Sequence, residues 1–198
     1  MQLIYSVLFL TNIIILDNNN IIPLYGKITK SLANNISYQI NSNNGNKYLY
    51  INSYGGDVES GNYIINQIQS YNIPCITHQA YSMAAVIFLG CKERYITHDS
   101  KIMFHNVTTN NQLIAYNYYK FLSDNLNMSY SLLYKYLQKD WYLYGKNIQK
   151  YIDINTVKIK CTPSLTNNTM TVNSQIYSKC PNIRYPINKK DRCKWMGC

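Results

Sequence analysis

The sequence predicts an α/β domain with parallel strand pairing, and three observations carry this. Strand-like apolar runs alternate with stretches of helical spacing through most of the chain. Gly, Asn and Pro breaks fall between them, as connections between strands and helices require. A chain of 198 residues, 46% of them hydrophobic, suits one domain and can bury a substantial core.

The elements follow in order. Residues 1–20 form an apolar N-terminal segment, broken by Gln2, Ser6, Thr11 and Asn12. No Lys or Arg precedes its apolar part and no small-residue cleavage site follows. A strand or docking segment is therefore expected rather than a secretory signal. No apolar run approaches the roughly 20 residues of a membrane span. Asp17–Asn20 reads as a turn, and Ile21–Ile28 as a strand closing at Gly26. Leu32, Ile36 and Ile40 recur every fourth residue and predict a helix over 30–42, capped at Ser31.

After a loop at 43–46, Tyr48–Asn52 is a short buried strand ended by Gly55-Gly56. Ile64, Ile65 and Ile68 predict a helix over 60–70, and Pro74–His78 is strand-like. Ser82–Leu89 reads as a fully buried helix opening at a serine. Arg94–Thr97 and Lys101–His105 read as two strands, and 112–138 as one long helix.

Composition limits what surface residues can mean. Asn occurs 27 times, Ile 26 and Tyr 21, all from A/T-rich codons. Genome base composition accounts for this skew, so surface Asn and Tyr are weak functional signals. The net charge of +10 suggests a nucleic-acid binder until it is located. Residues 159–198 hold 7 Lys/Arg against 1 Asp/Glu, with Cys161, Cys180, Cys193 and Cys198. The remainder, residues 1–158, holds 12 against 8. The chain thus reads as a near-neutral domain over 21–158 and an irregular, basic, Cys-containing tail over 159–198. The tail shows no recognisable nucleic-acid module, and its cysteine spacing lacks the paired knuckles of a zinc site.

Three local constellations point to chemistry. Asn52-Ser53-Tyr54-Gly55-Gly56-Asp57 joins a strand to a helix, and adjacent glycines allow close backbone approach to a ligand. His78-Gln79-Ala80-Tyr81-Ser82-Met83-Ala84-Ala85 places Ser82 where a strand gives way to a buried helix, among small neighbours. A plain serine N-cap remains open there. Met103-Phe104-His105-Asn106 ends a short apolar strand on a histidine, a residue whose ordinary pKa near 6.5 suits a general base.

Taken together, YLYINSYGGDVESG, HQAYSMAA and KIMFHN resemble the Clp protease proteolytic subunit family over about residues 21–153. The resemblance implies the Clp/crotonase fold, a repeated β-β-α spiral with parallel sheets. It implies a serine endopeptidase with a Ser-His-Asp triad, in which Ser82 is the nucleophile and His105 the base. The Gly56 and Met83 amides would form the oxyanion hole. The acid must follow His105, where Asp124, Asp140, Asp153 and Asp191 stand. Asp140 opens Asp140-Trp141-Tyr142-Leu143, which resembles the family's Asp-x-aromatic-Leu stretch.

The same resemblance implies unfolded protein or peptide substrates, ring-forming homologous subunits and an AAA+ unfoldase. That unfoldase would hydrolyse the ATP, since this chain has no Gly-x-x-x-x-Gly-Lys-Ser/Thr loop. No cofactor or metal in this chain, no membrane and no nucleic acid are expected. A reducing interior with mostly unpaired cysteines is expected, the plastid stroma first, with a bacterial or virus-infected host cytoplasm also compatible. Departures from the pattern are Tyr54 for Pro, His78 for Gly, Tyr81 for a small residue, and a shorter stretch between His105 and Asp140. Tyr81 is expected to narrow the substrate cleft. A viral or phage processing peptidase of this fold and a non-catalytic ring subunit stay open as alternatives.

Overall fold

A computed structural model describes residues 13–16, 20–42 and 47–161. Residues 1–12, 17–19, 43–46 and 162–198 lie outside them, and with them most of the turn expected at Asp17–Asn20, the loop expected at 43–46 and most of the expected tail.

The elements are β1 (Ile13–Leu16), β2 (Ile21–Ile28), α1 (Lys30–Asn41), β3 (Tyr48–Gly56), α2 (Val58–Ser70), β4 (Cys75–Tyr81) and α3 (Met83–Gly90). There follow β5 (Arg94–Phe104), α4 (Gln112–Leu126), α5 (Tyr130–Tyr136), β6 (Trp141–Tyr144), a 3-10 turn (Gly145–Lys150), β7 (Asn155–Thr156) and β8 (Lys158–Cys161). The main sheet runs β2-β3-β4-β5-β6, with β7 also paired to β5. β2, β3, β4 and β5 are parallel neighbours, each reached from the last through a helix. This is the α/β alternation with parallel pairing that the sequence predicts. β6 closes the sheet antiparallel to β5, with Phe104 opposite Trp141.

One face of the sheet carries α1, α2 and α3. Ala33, Ile36 and Ile40 of α1 and Ile64, Ile65 and Ile68 of α2 turn into the core at helical spacing. Each such isoleucine, fully buried, contributes on the order of 2 kcal/mol. Every residue of α3 is buried, so it has no wet side. On the other face β1 pairs parallel with β8, and Ile14 and Leu16 pack against Tyr50, Ile76 and Val157. The pairing joins a strand of the N-terminal segment to one that reaches past residue 158.

Several expectations are corrected. The cap of α1 is Thr29, whose side chain accepts from the Leu32 amide at 3.2 Å, because the helix starts one turn-position ahead of Ser31. β5 is one strand, not two. The apparent break is a bulge in which Thr97–Ser100 oppose His78 alone, between the pairs Thr77–Ile96 and Gln79–Lys101. Ser100 Oγ fills the gap by donating to the Thr77 carbonyl at 2.6 Å. The long helix over 112–138 divides at Asn127, whose left-handed φ of 49° ends α4. Cys75 and Cys91 form a disulfide, a pairing the sequence reading does not assign. They sit at the start of β4 and just past α3, which the strand–helix turn folds side by side. Among the described residues no helix is long and apolar enough to cross a membrane.

Candidate active site

The site is built where β4 turns into α3. Ser82 occupies φ 54°, ψ −127°, a left-handed conformation that few side-chain-bearing residues adopt. Such strain is worth about 1–3 kcal/mol and persists only where packing enforces it. Ala80, Ala84 and Ala85 are fully buried beside it and leave room for the sharp turn. The Ser82 amide donates to the Met103 carbonyl at 2.9 Å, tying the turn to β5. The Ser82 carbonyl accepts from the Ala85 and Val86 amides, so its backbone caps α3 while its side chain makes no capping bond. The hydroxyl is instead directed to His105, with Oγ 2.6 Å from Nε2.

His105 follows Phe104, the last paired residue of β5, and is half-buried. The parallel pairing of β4 with β5, Tyr81 opposite Met103, brings the ends of the two strands together and so places Ser82 and His105 side by side. An Oγ–Nε2 contact of this length allows the imidazole to take the hydroxyl proton as a nucleophile forms.

The Gly pair presses against the same turn. A β-carbon on Gly55, at φ 92°, would stand 2.7 Å from the Tyr81 carbonyl oxygen and 2.9 Å from the Met83 amide nitrogen. Ser53 secures the loop from beneath, donating to the Gly26 carbonyl at 2.6 Å and accepting from the Gly55 amide at 3.0 Å. Gly56 and Met83 both line a cleft of about 520 Å³ with Ser82 and His105. Met83 opens α3, where backbone amides have no carbonyl of their own helix to meet. The remaining walls are mostly apolar, from Val58, Ile65, Val86, Ile114 and Phe121, with Asn62 and Asn117 between them.

Asp140 lies apart from this pair as a side chain but beside it as backbone. It directly precedes Trp141, which pairs with Phe104, so the next residues outward on the two strands are His105 and Asp140. Its side chain is exposed and lines a second hollow with Leu132, Tyr136 and Trp141. No hydrogen bond or ion pair joins it to His105 among the described residues. Solvation favours that pose, since an ionised carboxylate without a partner is best kept in water.

Tyr81 does not narrow the cleft. Strand alternation turns its ring to the other face, 5.4 Å from Tyr54 and 5.9 Å from Tyr142. The two departures at 54 and 81 thus pack on one another. His78 is buried, with Nδ1 3.7 Å from Asp99 in the β5 bulge. Two residues that sequence reading passes over reach the site from α4. Tyr118 donates to the His105 carbonyl at 2.7 Å, and Tyr119 to the Asn106 side chain at 2.7 Å. Burial first, and Tyr119 second, push the Tyr118 hydroxyl well above the ordinary tyrosine range. The abundance of Tyr concealed both.

Fold and site together define an α/β protein that presents a serine hydroxyl on a strained strand–helix turn beside a histidine. The family model described as Clp protease matches residues 8–156. The chain belongs to the Clp protease family, and is by membership a peptidase. Among solved structures, a point mutant of ClpP1 from Listeria monocytogenes superposes with a TM-score of 0.63 at 20% identity. The match covers 72% of this chain and 92% of that one, and speaks for the fold. No curated protein sequence matches the chain.

Proposed function

We propose that the chain is a serine endopeptidase of the Clp type that cuts unfolded polypeptides. One observation carries this reading: the 2.6 Å contact of Ser82 Oγ with His105 Nε2 on a strained turn, within a cleft of about 520 Å³. In the proposed reaction His105 takes the Ser82 proton as Oγ attacks the substrate carbonyl. The oxyanion is held by the amides of Gly56 and Met83, each such donor being worth roughly 3 kcal/mol. His105 then passes the proton to the leaving amine, and water releases the acyl group by the same route. Asp140 is the proposed third member, holding Nδ1 of His105 and stabilising the imidazolium. Its backbone place beside His105 supports the role, which needs its side chain to turn inward from solvent.

The proposed working form is a ring of such subunits fed by an AAA+ unfoldase that supplies ATP hydrolysis. Exposed Leu113, Ile114 and Tyr116 on α4 support an associating state, because an apolar patch of this kind favours burial against a partner. The test is hydrolysis of a fluorogenic peptide, then of an unfolded protein with an AAA+ partner and ATP. Turnover lost in S82A and strongly lowered in D140N is expected. Turnover that survives S82A, or a wild-type ring with none, refutes the assignment.

A further inference from the structure

The sheet releases the chain just before the candidate base. β5 ends at Phe104, and residues 105–111 have no helix or strand. A base at the frayed end of a strand would swing away from Ser82 unless something else held it. Two adjacent residues of α4 do so. The Tyr118 hydroxyl donates to the backbone carbonyl of His105, and the Tyr119 hydroxyl to Oδ1 of Asn106, each at 2.7 Å. Consecutive residues on a helix point about 100° apart, so the turn is gripped from two directions.

The grip is itself anchored. α4 is seated in the core by Leu122 and Leu126, and capped by Asn111, which accepts from the Leu113 and Ile114 amides. The Tyr119 ring packs 5.1 Å from Tyr130 and 5.9 Å from Tyr134, which carries the hold on to α5. Desolvation keeps the Tyr118 hydroxyl protonated, so it stays a donor throughout the working pH range of an imidazole base.

We infer that Tyr118 and Tyr119 are positioning residues that hold the His105–Asn106 turn so that the imidazole stays on Ser82. The inference rests on the peptidase reading above, with Ser82 and His105 as its acting pair.

Y118F and Y119F keep the rings and remove only the donors. In the full chain, kcat on a fluorogenic peptide should fall about three- to tenfold in each, the worth of a neutral hydrogen bond, with KM within about twofold. The rate of fluorophosphonate labelling should fall in parallel. Y134F, which removes a hydroxyl from the same aromatic cluster without touching the turn, should leave both unchanged. The His105 ring resonances, read by NMR on histidine-labelled protein, should shift or broaden in Y118F and Y119F but not in Y134F. Unchanged resonances with wild-type kcat in both variants overturn the inference. Absent turnover in the wild type would count against the peptidase reading instead, and the resonances would still decide the grip.

Discussion

A β-carbon placed on Gly55 would lie 2.8 Å from the β-carbon of Ser82. The loop after β3 and the turn after β4 are therefore in contact, with no space for a side chain between them. This contact sets the outline of the site, because it brings Gly56 to the same cleft as Ser82.

G55A should be severe. The added methyl meets backbone atoms of Tyr81 and Met83, which cannot rotate away, and the position needs φ 92°. A loss of roughly 2–4 kcal/mol is expected from overpacking plus backbone strain. G61A should be milder, because the atoms nearest its methyl belong to the flexible side chain of Met83 rather than to backbone. Thermal melts of the two variants decide this, and equal losses would speak against the packing described.

Ser82 should reverse the usual order of glycine and alanine. In ordinary secondary structure Gly is about 0.5–1 kcal/mol worse than Ala. At φ 54°, ψ −127° the alanine keeps the strain and the glycine sheds it. S82G should therefore be more stable than S82A by about 1 kcal/mol, with both inactive. A less stable S82G would mean that the turn is not strained.

Asp57 links the Gly pair to acid stability. It caps α2, accepting from the Ser60 amide at 2.8 Å. Hydrogen bonding to Ser60, through its side chain first and its amide second, holds the Asp57 carboxyl below its ordinary value. A depressed folded pKa gives stability that is present above the unfolded value near 4 and is lost as pH falls through the folded one. D57A should cost about 1 kcal/mol at neutral pH. D57N keeps a cap acceptor, so its melting temperature should fall less steeply than the wild type's below about pH 4. Parallel acid profiles would refute the assignment.

The Cys75–Cys91 bond ties the first residue of β4 to the residue after α3, with Ser82 between them. Closing a loop of this length, a separation of 16, stabilises a domain by about 3 kcal/mol. Reduction should lower the melting temperature, and C75S/C91S should match the reduced wild type. A reductant-insensitive melt in the oxidised protein would contradict the pairing.

Much of the fold is legible in the sequence because it is written in local pattern. The isoleucines of α1 and α2 recur at helical spacing, and the strands between them are short apolar runs. Ser82 and His105 stand out because each directly follows a strand, and parallel strands in register bring their ends together. What escapes is set by pairing rather than by pattern. The β5 bulge depends on Ser100 reaching the Thr77 carbonyl, and β6 on finding β5 antiparallel. Asn127 divides the long helix through one left-handed residue, which its neighbours do not announce. The backbone place of Asp140 beside His105 comes from the pairing of β6 with β5, while the direction of its side chain depends on what surrounds it. Tyr118 and Tyr119 are hidden by a composition in which tyrosine is common everywhere.

The central claim is that Ser82 is a nucleophile activated by His105. Intact-mass analysis after exposure to a fluorophosphonate, followed by peptide mapping, tests it most directly. One adduct on Ser82 in the wild type, none in S82A and little in H105A is the predicted result. An adduct that persists in S82A, or a folded wild type that takes up no label, contradicts it.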